Sequence, residues 1–345
     1  NTGGSSGPHL HFEIRKASNQ HPTNVLKYDF DIEDQVAPRF LSVYMYPLEE
    51  NALINGTKEK FSSRVVKDQG VYTLPWGTRA EVSGSLGISV EVFDYLNGAS
   101  NRCGVYSLEL YLDEQLHYRH VMDEFSFNET RYINAHIDYE ELIRNGIKAH
   151  RLHRLPNDRL RIYENLVGNG ELKIDEKRSY QLRIVATDVA GNVSELSFKL
   201  SGNPDQVFSG KLRENQDLFM KYDEVNSFEK DLVTIRIPKN ALYQDMNFSY
   251  SKTPAEQGSL TDFFQMGSEE VAVHSRYTLS ILSEGIDPAL HNKLLIVTLD
   301  EDGKIAEAGG EYQDGKVSTS LRNFGKFAIG IDTIPPVIKP TGGKI

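Results

Sequence analysis

The sequence predicts a mostly β protein that contains two β-sandwich units. Apolar and polar residues alternate with a period of two over several short runs, which is the pattern of half-buried strands. Aromatic residues, 17 Tyr and 16 Phe, recur in these runs and favour strands. With 345 residues, the chain is long enough for two or three domains with their own cores.

Residues 35–202 are predicted to form the first sandwich. The runs that alternate most clearly are 87–93, 105–112, 180–188 and 193–200. An Asp/Gly/Asn turn joins the last two runs, and turn chemistry explains Asp188 and Asn192 better than calcium binding does. This final hairpin resembles the last hairpin of bacterial Ig-like and fibronectin-type domains. The resemblance implies an Ig-like architecture and no particular function.

An insertion near residues 125–170 breaks the β rhythm of the first sandwich. Residues 137–143 are predicted to form a short helix within it, followed by a basic run over 150–156. We expect this insertion to act as a lid or a contact surface, because long segments between strands often carry function.

Residues 205–331 are predicted to form the second sandwich. Its alternating runs are 233–238, 277–281, 294–299 and 325–330. The pattern D-x-[VI]-x-P followed by apolar residues occurs at 34–38 and again at 332–336, where it predicts a junction into a first strand. We therefore expect residues 332–345 to begin a further, truncated module.

Charge and composition exclude several classes of partner and site. The formal net charge is -11 and no basic cluster stands out beyond the short run at 150–156, which argues against nucleic acid and anionic membranes as partners. No apolar run approaches the roughly 20 residues of a membrane span. The single cysteine, Cys103, lacks a local activating pattern, so we expect a structural thiol.

Residues 7–15, with the sequence GPHLHFEIR, combine spacing and residue types that suggest chemistry. Alternation from His9 predicts a strand, which would place His9 and His11 on one face and Leu10 and Phe12 in a core. Two histidines at this spacing suit a zinc site, where one ligates the metal and the other carries a proton. Two histidines on a solvated sheet face would give the same spacing, so this alternative remains open.

Residues 2–15 and 22–28 resemble the C-terminal signature of the lysostaphin-type (LytM-like) zinc metallopeptidases. The family pattern is a small-residue loop, then G-P-H-L-H-F-E, then a short tail ending near P-x-x-x-L-x-Y. The stretches here read TGGSSGPHLHFEIR and PTNVLKY. These enzymes cleave the peptide cross-links of bacterial peptidoglycan. The resemblance implies that residues 1–30 are the terminal strands of such a peptidase β-domain.

The resemblance also implies the roles of the two histidines. His11 would be a zinc ligand, and His9 would be catalytic, assisting the metal-bound water and stabilising the transition state. The family's first motif supplies another zinc-binding His and an Asp, which we expect upstream of Asn1. Because a catalytic zinc site usually needs three protein ligands, we expect this chain alone to be inactive.

Two functions therefore remain open. The parent protein would be a secreted bacterial zinc endopeptidase that hydrolyses peptidoglycan cross-links, with β-sandwich accessory domains for targeting or positioning. The alternative is a non-catalytic binding or scaffold protein with a degenerate peptidase domain. Both imply the cell envelope, periplasmic or extracellular, and peptidoglycan or another envelope glycan or peptide as partner.

The remaining histidines and the single tryptophan are weaker candidates. The pairs His117/His120 and His150/His153 fit an H-x-x-H pattern, but we predict solvated surface residues at both. The isolated histidines are predicted to be surface or capping residues, namely His21, His136, His274 and His291. Trp76 is predicted to be partly buried in a sandwich, with stacking on a sugar ring as the functional alternative.

Overall fold

The computed structural model describes residues 10–210, 218–255, 258–300 and 303–333. It contains 46% strand and 10% helix, which confirms the predicted mostly β class. The chain divides into two compact units, Asn1–Arg213 (unit 1) and Glu214–Ile345 (unit 2). In the ranges described, no helix has both the length and the apolar character that crossing a membrane requires.

Unit 1 is built from short and long strands around one hydrophobic core. Its described strands are β1 Ile14–Arg15, β2 Pro22–Thr23, β3 Arg39–Pro47, β4 Leu53–Ile54, β5 Phe61–Arg64, β6 Val66–Asp68, β7 Val71–Thr73, β8 Glu81–Phe93, β9 Ser107–Leu112, β10 Gln115–Val121, β11 Ala149–Arg151, β12 Tyr163–Leu166, β13 Leu172–Ile174, β14 Ser179–Thr187 and β15 Val193–Gly202. Its helices are α1 Ile133–His136 and α2 Tyr139–Asn145. Short 3-10 turns cover Val25–Lys27, Phe127–Tyr132 and Val167–Gly170.

Two antiparallel groups of strands share the core of unit 1. One group runs in the order β12-β10-β9-β14-β15 and the other in the order β8-β3-β5. They join where the first residues of β8 run parallel to the end of β15, with Glu81 opposite Ser201. Alternate residues such as Val90, Leu110 and Ile184 point inward and are buried together. The alternation in the sequence therefore predicted which faces meet in the core.

Two strands of the insertion pair with strands of the two groups in unit 1. Strand β11 pairs with β8 and strand β12 pairs with β10. Asp138 is the N-cap of helix α2 and its carboxylate accepts from Glu141 N, whereas Gly146 follows the helix as C-cap in the left-handed conformation that favours glycine. The predicted short helix over 137–143 is confirmed, with its bounds two residues further along. The insertion is thus an ordered part of unit 1.

Unit 2 consists of a small two-stranded pair and two five-stranded sheets. Its described strands are β16 Leu218–Met220, β17 Asn226–Lys230, β18 Val233–Ile237, β19 Met246–Phe248, β20 Tyr250–Thr253, β21 Phe263–Met266, β22 Tyr277–Leu282, β23 Leu294–Leu299, β24 Ile305–Gly309, β25 Glu311–Gln313, β26 Lys316–Leu321 and β27 Gly325–Ile331. The sheets have the orders β17-β18-β22-β26-β25 and β20-β21-β27-β23-β24. Residues of both sheets, among them Leu279 and Ile329, are buried in one core.

The N-terminal strand differs from its prediction. Among the described residues of this run, 10–15, only Ile14 and Arg15 form a strand, paired with Thr23 and Pro22. Leu10 is 93% exposed and Phe12 is 60% exposed, so neither lies in a core. The physical reason is the short pairing partner: within the described chain, β2 offers hydrogen-bonding groups to two residues, and a strand needs a paired neighbour along its length. The junction residues 334–336 and the module predicted from 332 lie almost wholly outside the described residues.

Candidate metal-binding histidines

The first candidate, His11, stands in the exposed N-terminal segment (residues 10–28). Its side chain is 74% exposed, and Nε2 lies 3.7 Å from Oε2 of Glu13. Glu13 also pairs with Arg15, with 2.7 Å between Arg15 Nε and Glu13 Oε1. This guanidinium lowers the pKa of the Glu13 carboxyl. His9 lies outside the described residues, so its predicted catalytic role stays a prediction.

The residues described around His11 do not complete a catalytic zinc site. Such a site usually has three protein ligands. In the described part of the chain, His11 belongs to no group of three metal-ligating side chains. The prediction that His11 ligates zinc therefore depends on further ligands that the described residues do not supply.

The N-terminal segment contacts Asp123 and Glu124, which lie between β10 and the insertion. Asn24 N donates to the carbonyl oxygen of Asp123 at 2.8 Å, and Lys27 Nζ lies 2.5 Å from Asp123 Oδ1. Glu124 pairs with Lys16, and its Oε1 lies 3.6 Å from Nδ1 of His21. Backbone and side-chain contacts together hold residues 16–27 against unit 1.

A second set of histidines lies inside unit 1. His120 on β10, His136 at the end of α1 and His150 on β11 each offer one ring nitrogen, and these three nitrogens lie within 4.8 Å of one another. We call this set the histidine cluster. The ring centroids of His120 and His136 are 4.7 Å apart at 87°, and those of His136 and His150 are 5.4 Å apart at 72°.

The histidine cluster corrects the prediction of surface histidines. His120 and His136 are 0% exposed, and His153 of the second H-x-x-H pair is also buried, at 3%. The reason differs for each residue: His120 lies on the buried face of β10, His136 packs against the rings of His120 and His150, and His153 packs against Gly87 of β8. His117, on the opposite face of β10, is half-buried. The H-x-x-H spacing therefore brings neither pair together, and the cluster draws one member from each of three segments.

Two tyrosines bind the outer ring nitrogens of the cluster. The hydroxyl of Tyr118 lies 2.9 Å from Nδ1 of His120. The hydroxyl of Tyr163 lies 3.3 Å from Nδ1 of His136 and donates its hydrogen to the buried Asp158 carboxylate. Because that hydrogen is used, the Tyr163 oxygen accepts from Nδ1–H of His136. The Nε2 atom of His136 then carries a lone pair and faces the cluster.

Burial keeps the imidazoles in the neutral form that can bind a metal. It lowers the pKa of His120 and of His136 well below the usual range, and it lowers the pKa of His150 to about 4. The nearby Arg151 is itself paired: its Nη2 lies 3.4 Å from Oδ1 of Asp138. Arg154 donates from Nε to the carbonyl oxygen of Asp158 at 3.0 Å. Both guanidinium groups therefore have acceptors other than the cluster.

A cavity of about 580 Å³ adjoins the cluster through His150. Its wall is mainly apolar and includes Pro22, Val25, Val105 and Met122. The cavity thus lies between the N-terminal segment and the sheets of unit 1. His150 is the member of the cluster that lines it.

Three carboxylates form an acidic cluster, namely Asp34, Asp94 and Asp188, and the first two line the same cavity. Asp188 accepts from N and Nδ2 of Asn192, both at 2.8 Å, as the predicted turn chemistry requires. Asp94 is 4% exposed, and in the described part of the chain its Oδ1 has no hydrogen-bond partner. Burial, with the like charges of Asp188 and Asp34, raises the pKa of Asp94 to about 6. Near neutral pH, the negative charges of Asp34 and Asp188 therefore disfavour ionisation of the Asp94 carboxyl.

The other predicted side chains fall into two groups. Trp76 is fully exposed, which corrects the prediction of partial burial, because it lies in the loop after β7 and contacts no sheet. Its stacking on a sugar stays a prediction.

Cys103 is half-buried, and burial raises the pKa of its thiol. A raised pKa disfavours the thiolate, in line with the predicted structural role.

The alternation of side chains between the two faces of β10 could have revealed part of the histidine cluster from the sequence. Tyr118 and His120 share a face of β10, and that face is the buried one. His136 carries no comparable signal, because α1 has only four residues and its burial depends on packing against β11 and the preceding 3-10 turn.

Comparison with known proteins covers the second unit. Residues 217–332 match the family profile of the Zu5-like domain. This stretch spans all described strands of unit 2, from β16 to β27. No curated protein matches the chain.

Proposed function

We propose that this chain is the C-terminal part of a cell-wall zinc endopeptidase that hydrolyses peptide cross-links of peptidoglycan. The support is the resemblance of residues 2–15 and 22–28 to the lysostaphin-type signature. In this proposal the two β units are accessory domains, an Ig-like sandwich followed by the Zu5-like stretch, which target or position the enzyme. The setting is the cell envelope, periplasmic or extracellular.

The contacts of the N-terminal segment with Asp123 support the proposed accessory role of unit 1. The motif residue His11 is three residues from β1, and the chain then runs directly into the contacts of Asn24 and Lys27 with Asp123. A peptidase domain that ends in this segment would be joined to unit 1 by these contacts as well as by the covalent chain. Unit 1 would therefore restrict the orientation of the peptidase.

The zinc of the proposed enzyme would polarise the scissile carbonyl and lower the pKa of a bound water. His11 is the one ligand that the resemblance assigns in this chain, and the described residues do not complete the site. The 345-residue chain is accordingly expected to bind envelope material without cleaving it. Its net charge of -11 is consistent with a partner other than nucleic acid.

The coding sequence immediately upstream of Asn1 provides the first test. The proposal expects a His and an Asp a few residues apart, within a β-rich stretch continuous with this one. An upstream stretch in which both ligands are replaced would contradict the peptidase proposal. The chain would then be best described by the alternative, a non-catalytic envelope-binding protein.

The biochemical test uses the parent protein and purified peptidoglycan sacculi. We expect release of cross-link peptides, and we expect His9→Ala to lower the rate by about 10²–10⁴-fold, the usual contribution of a proton-transferring side chain. His11→Ala should abolish both activity and the zinc at this site. The control is His291→Ala, on a surface turn of unit 2, which should leave the rate unchanged. Equal activity of all three variants would refute the proposed roles.

A further inference from the structure

We propose that His120, His136 and His150 bind one Zn²⁺ ion, which ties the insertion to the sheets of unit 1. The three nitrogens come from β10, α1 and β11, so one ion would connect three separate elements whose histidines are 14–16 residues apart in sequence. The site does not involve His9 or His11 and does not depend on the proposed peptidase function.

The distances suit a tetrahedral ion. Two nitrogen ligands at about 2.05 Å from zinc in tetrahedral geometry are about 3.3 Å apart. Nε2 of His136 lies 3.2 Å from Nδ1 of His150, so this pair already has the required spacing. All three nitrogens lie within 4.8 Å, so His120 needs a side-chain shift of about 1.5 Å at most to complete the set.

An unpartnered nitrogen gives an independent reason to expect a ligand. Nε2 of His120 is buried and has no hydrogen-bond partner among the described residues. A buried polar atom without a partner costs about 1–3 kcal/mol, so native proteins usually satisfy such atoms. Nδ1 of His120 is already bound to Tyr118, so Nε2 is the ring nitrogen of His120 that remains for a ligand. A metal ion would supply the partner that the protein lacks.

The hydrogen bond that His136 makes through its other ring nitrogen is of the kind that metal-ligating histidines usually make. A ligating histidine usually donates its second ring N–H to an acceptor, which fixes the tautomer and the ring orientation. His136 does so through Tyr163, whose own hydrogen goes to the buried Asp158. Asp158 therefore provides negative charge two hydrogen bonds away from the proposed cation.

The ligand set favours zinc. Three neutral imidazoles suit Zn²⁺ and other late divalent transition metals, whereas Ca²⁺ and Mg²⁺ require oxygen ligands. Among the residues described, no carboxylate or thiolate joins the group. The fourth coordination position would go to a water molecule, and the cavity that His150 lines offers the route for it.

The test is zinc binding by the whole 345-residue chain carrying His9→Asn and His11→Asn. These two substitutions remove the histidines of the proposed peptidase site. After treatment with a chelator and dialysis, zinc is titrated in competition with a chromophoric chelator. We expect one equivalent to bind, and we expect X-ray absorption to show nitrogen ligands at about 2.0 Å. Saturating zinc, at about a hundredfold excess over Kd, should raise the Tm of unit 1 by about 5–10 °C.

Variants of the cluster show whether this equivalent belongs to it. His136→Gln should weaken zinc binding more than a hundredfold, and the control His117→Gln, on the outer face of β10, should leave it unchanged. Tyr163→Phe removes the acceptor of His136 Nδ1–H and should weaken binding by about 10–100-fold. A purely structural role of these histidines would make Tm independent of zinc in every variant.

If variants of the fully buried histidines do not fold, His150→Gln provides the alternative test, since His150 is only half-buried. Loss of the bound equivalent in a folded His150→Gln chain supports the site. The proposal is overturned if the folded chain binds no stoichiometric zinc, or if the equivalent persists when the cluster is altered. Neither result affects the peptidase proposal, because His9 and His11 are already replaced.

Discussion

His11 and the histidine cluster place the same type of side chain in opposite surroundings. His11 is largely exposed and has one near carboxylate, Glu13 at 3.7 Å. His120 and His136 are fully buried, and tyrosines bind their outer nitrogens. A short sequence motif drew attention to the first, whereas the fold assembles the second. The difference shows that spacing along the chain reveals only sites whose residues are neighbours in sequence.

The two regions should also differ in how strongly mutations are felt. Contacts around the cluster are buried, where an unpaired charge or an overlap is costly. Contacts of the N-terminal segment lie at the surface, where water and salt weaken them. Replacements near the cluster should therefore have larger effects on the free energy of unfolding of unit 1 than replacements in the N-terminal segment.

The largest effect is expected for Asp138→Ala. This fully buried carboxylate accepts from the Tyr46 hydroxyl, pairs with Arg151 and caps α2. Its loss leaves the Arg151 guanidinium with the carbonyl oxygen of Ile137 but without its carboxylate partner, and should cost about 3–5 kcal/mol. The measurement is urea unfolding of unit 1. The control is Asp205→Ala, an exposed partner of Lys177, which should cost less than about 1 kcal/mol. Similar losses in both variants would remove the contrast between buried and exposed regions.

Gly87→Ala should destabilise unit 1 by about 1–3 kcal/mol, because overpacking of a core costs this much. A Cβ at Gly87 would lie 2.5 Å from the ring of the buried His153. The matched control is Gly104→Ala, where a Cβ meets nothing within 4 Å. Thermal unfolding of the two variants measures the difference. An unchanged Tm for Gly87→Ala would mean that the insertion does not pack closely on β8.

Asp94→Asn should stabilise unit 1 at pH 7.5 by about 1–2 kcal/mol in a chelator-containing buffer. Burial and like charges raise the pKa of Asp94 from 3.8 to about 6 in the folded state. Between these values the folded state binds more protons than the unfolded state, so this group makes stability fall as pH rises. The variant should lose that slope and match the parent chain below about pH 4. A variant less stable than the parent at pH 7.5 would contradict the repulsion.

Lys27→Ala should cost less than about 1 kcal/mol, because Lys27 and Asp123 are both about 40% exposed. The small loss should disappear in 1 M NaCl, where the Debye length is about 3 Å. Chemical unfolding at low and high salt measures it. A salt-independent loss of several kcal/mol would show that the N-terminal segment is held as firmly as the insertion.

Trp76→Ala should leave stability within about 0.5 kcal/mol, because the indole is fully exposed. If the ring stacks on glycan, retention on sacculi should fall about 2–10-fold, which corresponds to about 0.5–1.5 kcal/mol of aromatic contact. Equal retention of the variant and the parent chain would exclude that role.

The sequence predicted the strands far better than it predicted the sites. Residues 294–299 are apolar except for Thr298, which predicted a strand, and β23 covers the same residues. The hairpin of β14 and β15 was likewise visible from its turn residues. A strand was wrongly predicted from His9 because alternation does not reveal whether a pairing partner exists. His136 was placed at the surface because its burial arises from contacts between α1, β11 and β12, which no local pattern encodes.

The most direct test of the central claim is an anomalous difference map at the zinc edge from crystals of the 345-residue chain grown with Zn²⁺. We expect one strong peak, equidistant from ring nitrogens of His120, His136 and His150, with Nδ1–H of His136 still bound to Tyr163. We expect at most a weak peak at the exposed His11. An ordered histidine cluster without a peak, in crystals that hold zinc elsewhere, would contradict the claim.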